Sequence, residues 1–341
     1  MTLRIYMVKF PSRGMNDRKR NETADERRFT RMNRRKSASI GAHRRFLPAG
    51  RYGASSLFLA AFLTPGASCA SSAQPLPQRI ISVSPNVTEI LYGIGAFDRV
   101  VAVSDYCTYP PAVQNRPRVG GWENSNLEKI AALRPDLVIL TDAQAPFLED
   151  KLRDLGIRSV AVPTRSLADI FVSIDEIGRA TGTQARAADL ARRTRASLDN
   201  TRALTRNLPR PSVLFVVDRT PGTLRDMTVA AQGSFLADLI DIAGGRITAA
   251  PAKSGYLNVS KDAILTLDPE VIIDLVHWSK GRFAEHPELV WHDLPELRAV
   301  REGRLCPLRD EFLPHASQFV ADTAKLLAKL IHPEAFGGGT K

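Results

Sequence analysis

Between Thr183 and Leu208 the chain runs 26 residues without a proline or a glycine, and the stretch is rich in Ala, Arg and Leu. Good helix formers in such a run predict one helix of ~39 Å at 1.5 Å per residue. Pro209 and Pro211 end it. Short β-branched runs alternate with helical patterns on both sides. Before the long helix, strands are expected at 79–84, 100–104, 137–140 and 159–162. The helices between them start at Asn86, as N-cap with Glu89 three residues on, and lie near 126–133, 146–155 and 167–180. After it come a strand at 213–217, a helix at 235–243 closed by Gly244-Gly245, a helix at 261–267 and a strand at 271–276. A helical region at 286–300, a strand at 304–306 and a last amphipathic helix at 317–331 complete the series. This alternation argues for parallel sheets covered on both faces. The fold class is therefore α/β: two lobes with parallel central sheets, joined by one linker helix.

The two halves share a phrase. Asn126-Leu127-Glu128-Lys129-Ile130 leads to Arg134-Pro135-Asp136-Leu137-Val138-Ile139, and Ser260-Lys261-Asp262-Ala263-Ile264 leads to Asp268-Pro269-Glu270-Val271-Ile272-Ile273. The same helix–turn–strand unit at the same place makes the lobes pseudo-symmetric. The expected divisions are a basic leader without fixed structure at 1–52, a signal sequence at 53–73, a first lobe at 79–182, the linker helix at 183–208 and a second lobe at 211–337.

The net charge is confined to the leader. The whole chain has a formal net charge of +11, from 47 Lys and Arg against 36 Asp and Glu. Residues 1–52 hold 15 of the basic and 4 of the acidic residues, so the remainder is neutral. A nucleic-acid binder needs a positive folded surface, and composition does not support one here. Behind the basic part follow the apolar run Leu57-Phe58-Leu59-Ala60-Ala61-Phe62-Leu63 and the small residues Gly66 to Ala73, in the order of a secretory signal. The apolar run is too short to span a bilayer, which takes ~20 residues. The length of the charged part suggests translation from Met32. Cleavage falls after Ala70 or Ala73; alternatively Cys69 ends a lipobox and carries a lipid. The location expected is the periplasm, free or anchored through Cys69. Three cysteines make no disulfide scaffold, and Cys107 and Cys306 are expected as unpaired thiols.

Enzyme motifs are missing: there is no Gly-x-Ser-x-Gly, no Walker A, no His-Glu-x-x-His and no Gly-x-Gly-x-x-Gly after a strand. The histidines of the body, His277, His286, His292, His315 and His332, all fall in the second half, so a bare metal ion gripped by both lobes is disfavoured. Neither a metal site nor a resident cofactor is expected. Aromatic residues at strand ends are more informative, because ligands of parallel α/β domains bind beyond the carboxyl ends of the strands. Tyr106 follows the second strand, Trp122 lies in the next loop, Tyr256 precedes the helix at 261, and Trp278 follows the strand at 271. Such flat walls suit a large, partly apolar ring.

Ser104-Asp105-Tyr106, Tyr109-Pro110-Pro111, Gly121-Trp122, Asn126 to Ile130 and Leu133 to Ile139 together resemble the substrate-binding proteins of ABC importers for cobalamin, iron-siderophores and haem. The Tyr-x-x-Tyr-Pro-Pro element with its following Trp is similar to the vitamin B12-binding branch. Gly233-Ser234-Phe235, Ala243-Gly244-Gly245 and Tyr256 to Asp262 fit the family more generally. The resemblance implies a two-lobed, helix-hinged fold in which Tyr106, Trp122 and Tyr256 pack on a corrin. It also implies that Glu128 and Asp262 dock on arginines of the membrane permease. Asp310, in Asp310-Glu311-Phe312, matches the family's Asp–Phe element and would orient side-chain amides of the ligand. His315 stands about where an arginine is expected and is a candidate ligand-binding residue, able to coordinate haem iron or corrin cobalt or to hydrogen-bond a ligand amide; Thr141-Asp142 stands where the B12 branch often has an aromatic.

The function expected is thus a monomeric, non-enzymatic carrier that takes a corrinoid between its lobes, with only small lobe closure, and delivers it to a permease and its ATPase at the inner membrane. Haem or a ferric siderophore is the alternative ligand, with Arg219, Arg225 and Lys253 as candidate basic cleft residues for the latter. A tetrapyrrole chelatase is the remote alternative.

Overall fold

The computed structural model describes residues 75–276, 286–309, 313 and 315–336. The leader, the signal sequence, Cys69, Trp278 and Asp310 lie outside the described residues. The first lobe opens with β1 (Ile80–Ser82), α1 (Pro85–Gly93) and β2 (Val100–Val103). It continues with α2 (Leu127–Ala132), β3 (Leu137–Thr141), α3 (Ala145–Asp154), β4 (Ser159–Val162) and α4 (Leu167–Thr181). Its strands form one parallel sheet in the order β2-β1-β3-β4. The long helix is α5 (Gln184–Thr205).

The second lobe holds β5 (Ser212–Asp218), β6 (Met227–Ala230), α6 (Phe235–Ile242), β7 (Arg246–Ile247), β8 (Tyr256–Val259) and α7 (Lys261–Leu267). Then come β9 (Val271–Leu275), a 3-10 turn at Pro287–Asp293, α8 (Arg298–Arg301), β10 (Leu305–Leu308) and α9 (Val320–Ile331). The strand order is β10-β9-β5-β6-β8, with β7 also on β5. Strands β10, β9, β5 and β7 are parallel, whereas β6 and β8 run antiparallel. This antiparallel edge is absent from the sequence reading, and Tyr256, expected in a loop, opens β8. The helical region expected at 286–300 is only the 3-10 turn and the four residues of α8.

Asn86 is not the N-cap of α1. Ser84 is, and Pro85 at the first helical position supplies a φ already suited to the helix. Elsewhere the caps follow the expected chemistry. Asn126 accepts from the N–H of Lys129, Ser234 from Ala237 and Ser260 from Ala263. Ser166 and Asp169 form a capping box at α4, and Gly182 closes that helix at φ +69°.

Alternate strand residues go to different cores, as the two-residue period of a strand requires. Ile80, Leu137 and Ile139 of the first sheet join Val213, Phe215, Val271 and Ile273 of the second in one apolar cluster. Residues of α1, α4, α5, α6 and α9 complete it. Ile81, Val138 and Leu140 build a separate core in the first lobe, and Leu214, Val216 and Ile272 another in the second.

The shared phrase is a shared structure. Arg134 and Asp268, each just before its proline, take positive φ (46° and 36°) between helix and strand. The next residue but one is a carboxylate that clamps the start of the neighbouring strand. Asp136 accepts from the N–H groups of Gln78 and Arg79 at 2.7 and 2.9 Å. Glu270 accepts from the N–H of Ser212 at 2.7 Å, which holds its carboxyl below the usual range. The backbone bonds match too, with Asp136 N–H to Arg79 O and Glu270 N–H to Ser212 O both at 3.0 Å.

His332, which ends α9, is 1% exposed, and burial pushes its imidazole below its ordinary value against the opposing pull of the Gly244 backbone. Above about pH 6.5 the ring is neutral folded or unfolded. As the pH falls below that, the unfolded chain takes up a proton the folded one refuses, and stability drops by up to about 1.4 kcal/mol per pH unit until the folded value is passed. Urea midpoints should therefore fall between pH 7 and pH 5, and His332→Gln should flatten that dependence.

Candidate functional site

The site grows from the carboxyl end of β2. The chain leaves Val103 and turns through Ser104 and Asp105. The Asp105 N–H donates to Gly120 O at 2.9 Å, which ties the Tyr106 turn to the Trp122 loop. Arg118 secures the same turn by donating to the carbonyls of Ser104 and Cys107 at 2.8 and 2.7 Å. Beneath it Cys107 is buried against Thr88 Oγ1 (3.1 Å) and Ser104 Oγ (3.2 Å). Burial raises its thiol above the ordinary value, so it is inert rather than nucleophilic. Cys107 and Cys306 are both free.

Tyr106 and Trp122 are both half-buried, and the structure brings their loops together. The Tyr106 ring comes close to Gly121. A Cβ at Gly121 would stand 3.2 Å from Tyr106 Oη and 2.6 Å from Asn124 Oδ1, so a side chain there would displace the Asn124 carboxamide and crowd the Tyr106 ring. Tyr256 sits on the edge strand β8 with its ring packed on the apolar cluster common to both lobes, and burial pushes its phenol up to about 12. It is a neutral apolar surface at any physiological pH.

Glu128 and Asp262 occupy the first turns of α2 and α7, both exposed and each six residues before the positive-φ residue of its lobe. They are structurally equivalent carboxylates. His315 is half-buried, and its Nδ1 lies 2.6 Å from Glu89 Oε1. Sequence reasoning saw Glu89 only as a helix-start residue. Its one signal was a carboxylate set among apolar residues of α1. Arg118 had no signal at all, because its work is done on backbone carbonyls.

Arg219 is not a cleft residue. It is 2% exposed and grips Asp274 through Nε and Nη2, at 3.0 and 2.8 Å to Oδ2. Trp291 Nε1 donates to the same oxygen at 2.9 Å. A cation so paired is not offered to a ligand. Arg225 and Lys253 are exposed. Gly121→Ala should force Tyr106 and Asn124 aside, lower stability by about 1–2 kcal/mol and change the near-ultraviolet circular dichroism of the Tyr106–Trp122 pair.

The periplasmic binding protein family model matches residues 80–311. The chain is 30% identical over 237 residues to a vitamin B12-binding protein of Vibrio vulnificus, covering 69% of this chain and 83% of that one. Its fold is similar to the crystal structure of the periplasmic vitamin B12-binding protein BtuF of Vibrio cholerae, with TM-score 0.65, 26% identity, and 76% and 98% of the two chains covered. A periplasmic haem-binding protein of Pseudomonas aeruginosa is equally similar, with TM-score 0.65, 26% identity, and 76% and 94% covered. The family binds solutes and does not catalyse reactions, which removes the chelatase alternative. With its two α/β lobes and long connecting helix, the chain belongs to the periplasmic binding protein family, the solute-binding components of ABC importers.

Proposed function

We propose that this protein captures a corrinoid in the cleft between its lobes and delivers it to an ABC permease. The observation that carries the reading is the Tyr106–Gly121–Trp122 arrangement beyond the carboxyl end of β2, where parallel sheets bind ligands. Two half-buried aromatic residues on two hydrogen-bonded loops offer an apolar wall. The relatives named for vitamin B12 favour a corrin over other rings. Tyr256 supplies a further apolar face from the second lobe, and Trp278 and Asp310 belong to the same proposal. No bond is made or broken; affinity comes from ring burial and a few oriented polar groups.

Haem is the second reading, favoured by the equally similar haem-binding structure. An anionic ferric siderophore fits less well, because Arg219 is committed to Asp274. Titrating the purified protein with cyanocobalamin, haemin and a ferric catecholate, and following tryptophan quenching, separates the three. Cyanocobalamin should saturate, and Tyr106→Ala or Trp122→Ala should weaken it roughly tenfold or more. Saturation by haemin alone, with a Soret band, overturns the corrinoid reading.

The basic leader, the apolar run and the small residues up to Ala73 support export, with cleavage or a lipid on Cys69 as the two endings. The matched carboxylates Glu128 and Asp262 suit a permease built about a two-fold axis, whose arginines they would meet. Glu128→Lys and Asp262→Lys should leave cyanocobalamin affinity unchanged and weaken binding to the permease–ATPase complex in lipid nanodiscs at least about tenfold.

A further inference from the structure

Glu89 belongs to α1 of the first lobe and is 1% exposed. A carboxylate so far from water needs close partners. Among the described residues, the groups hydrogen-bonded to its two oxygens come from the far end of the chain. His315 Nδ1 stands 2.6 Å from Oε1, and Ser317 Oγ donates to Oε2 at 2.5 Å. Gln318 Nε2 adds a bond of 2.9 Å to the Glu89 carbonyl. The next residue, Phe319, meets Tyr109 edge-on with ring centroids 5.2 Å apart, and Tyr109 meets Tyr92 of α1 at 5.3 Å.

The same junction reaches α5. A Cβ at Gly93 would lie 2.9 Å from Leu190 Cδ2 and 3.3 Å from Gln318 Nε2, so the end of α1, the linker helix and the 315–319 segment are in direct contact. That segment runs into α9, which packs on α5 and α6. A second contact ties the lobes elsewhere. The Phe235 N–H at the start of α6 donates to Arg165 O at 2.7 Å, and the Leu167 N–H of α4 donates to Asp238 Oδ2 at 3.0 Å.

We propose that Glu89 is the pin that sets the spacing of the two lobes, with His315 as a positioning residue acting on the cleft through it. A carboxylate that served its own lobe would find donors there. This one takes them from the other lobe, so any rocking of the lobes about α5 strands a buried charge. The shared apolar cluster, the α4–α6 contact and the pin together oppose that rocking, and the pin is the polar member of the three. Cleft width is thereby fixed before any ligand arrives, and the inference holds whichever ligand the cleft takes.

The test reads lobe spacing without ligand. Spin labels are placed at Asn124→Cys and Lys253→Cys, both exposed positions on different lobes, in the full-length protein carrying Cys69→Ser and Cys306→Ser. Dipolar spectroscopy should give one narrow distance distribution. Glu89→Gln and His315→Asn should each broaden it roughly twofold or more, as expected when a packed bistable contact is released. Should Glu89→Gln fail to fold, His315→Asn decides the matter, since that ring is only half-buried. A folded, cooperatively melting His315→Asn protein that keeps the narrow distribution overturns the proposal. Because no ligand is present, that outcome is independent of the corrinoid titration.

Discussion

The structure depends on a single apolar cluster that takes alternate residues from both sheets. Two separate cores joined by a helix would move as beads on a rod. Here Ile80 and Leu137 of one sheet and Phe215 and Val271 of the other belong to the same buried cluster, closed over by α1, α4, α5, α6 and α9. The linker helix is part of that interior. Its buried positions, Ala187, Leu190, Thr194, Leu198, Thr201 and Thr205, recur every three or four residues and form a stripe. Three of them are threonines, which satisfy their hydroxyls by donating to the carbonyl four residues back, at 2.9 to 3.2 Å. A face that is small and self-satisfied in hydrogen bonding lets α5 lie close to its neighbours.

Parallel-sheet strands and long amphipathic helices were legible because their signals are local. The runs at 137–140, 159–162 and 271–276 appear as β3, β4 and β9 to within a residue or two, and α7 spans 261–267 as expected. The start of α1 was misread because Ser84, Pro85 and Asn86 all have helix-start chemistry, and proline's fixed φ decides among them. Strands β6 and β8 escaped because Met227–Ala230 and Tyr256–Val259 are four residues each and gain their structure from pairing with one another. Of the site, Tyr106 and Trp122 were visible from their place after a strand. Glu89 was visible as a residue but not in its role, since its partners lie 226 and 228 residues away. The Arg219–Asp274–Trp291 group hid for the same reason: a lone arginine after a strand reads as a surface cation until its carboxylate is seen.

The pseudo-symmetry holds in the helix–turn–strand unit and is loose in its side chains. Asp136 and Glu270 do the same work on Arg79 and Ser212 with side chains of different length. Glu128 and Asp262 differ likewise. What is duplicated is the helix–turn–strand unit that presents a carboxylate outward. What is not duplicated is the antiparallel edge of the second lobe and its buried ion pair. The two lobes therefore differ in their sheet edges while sharing the unit that carries Glu128 and Asp262.

The common interior also governs when the protein can become itself. Ile80, at the start of the first strand, and Ile331, at the end of the last helix, are buried in one cluster. The burial of this cluster is complete only when the final helix is in place, and contacts of such long sequence separation form slowly. Only the separate core of the first lobe, around Ile81, Val138 and Leu140, is made wholly of early residues. The two ends of the described chain thus complete one interior together.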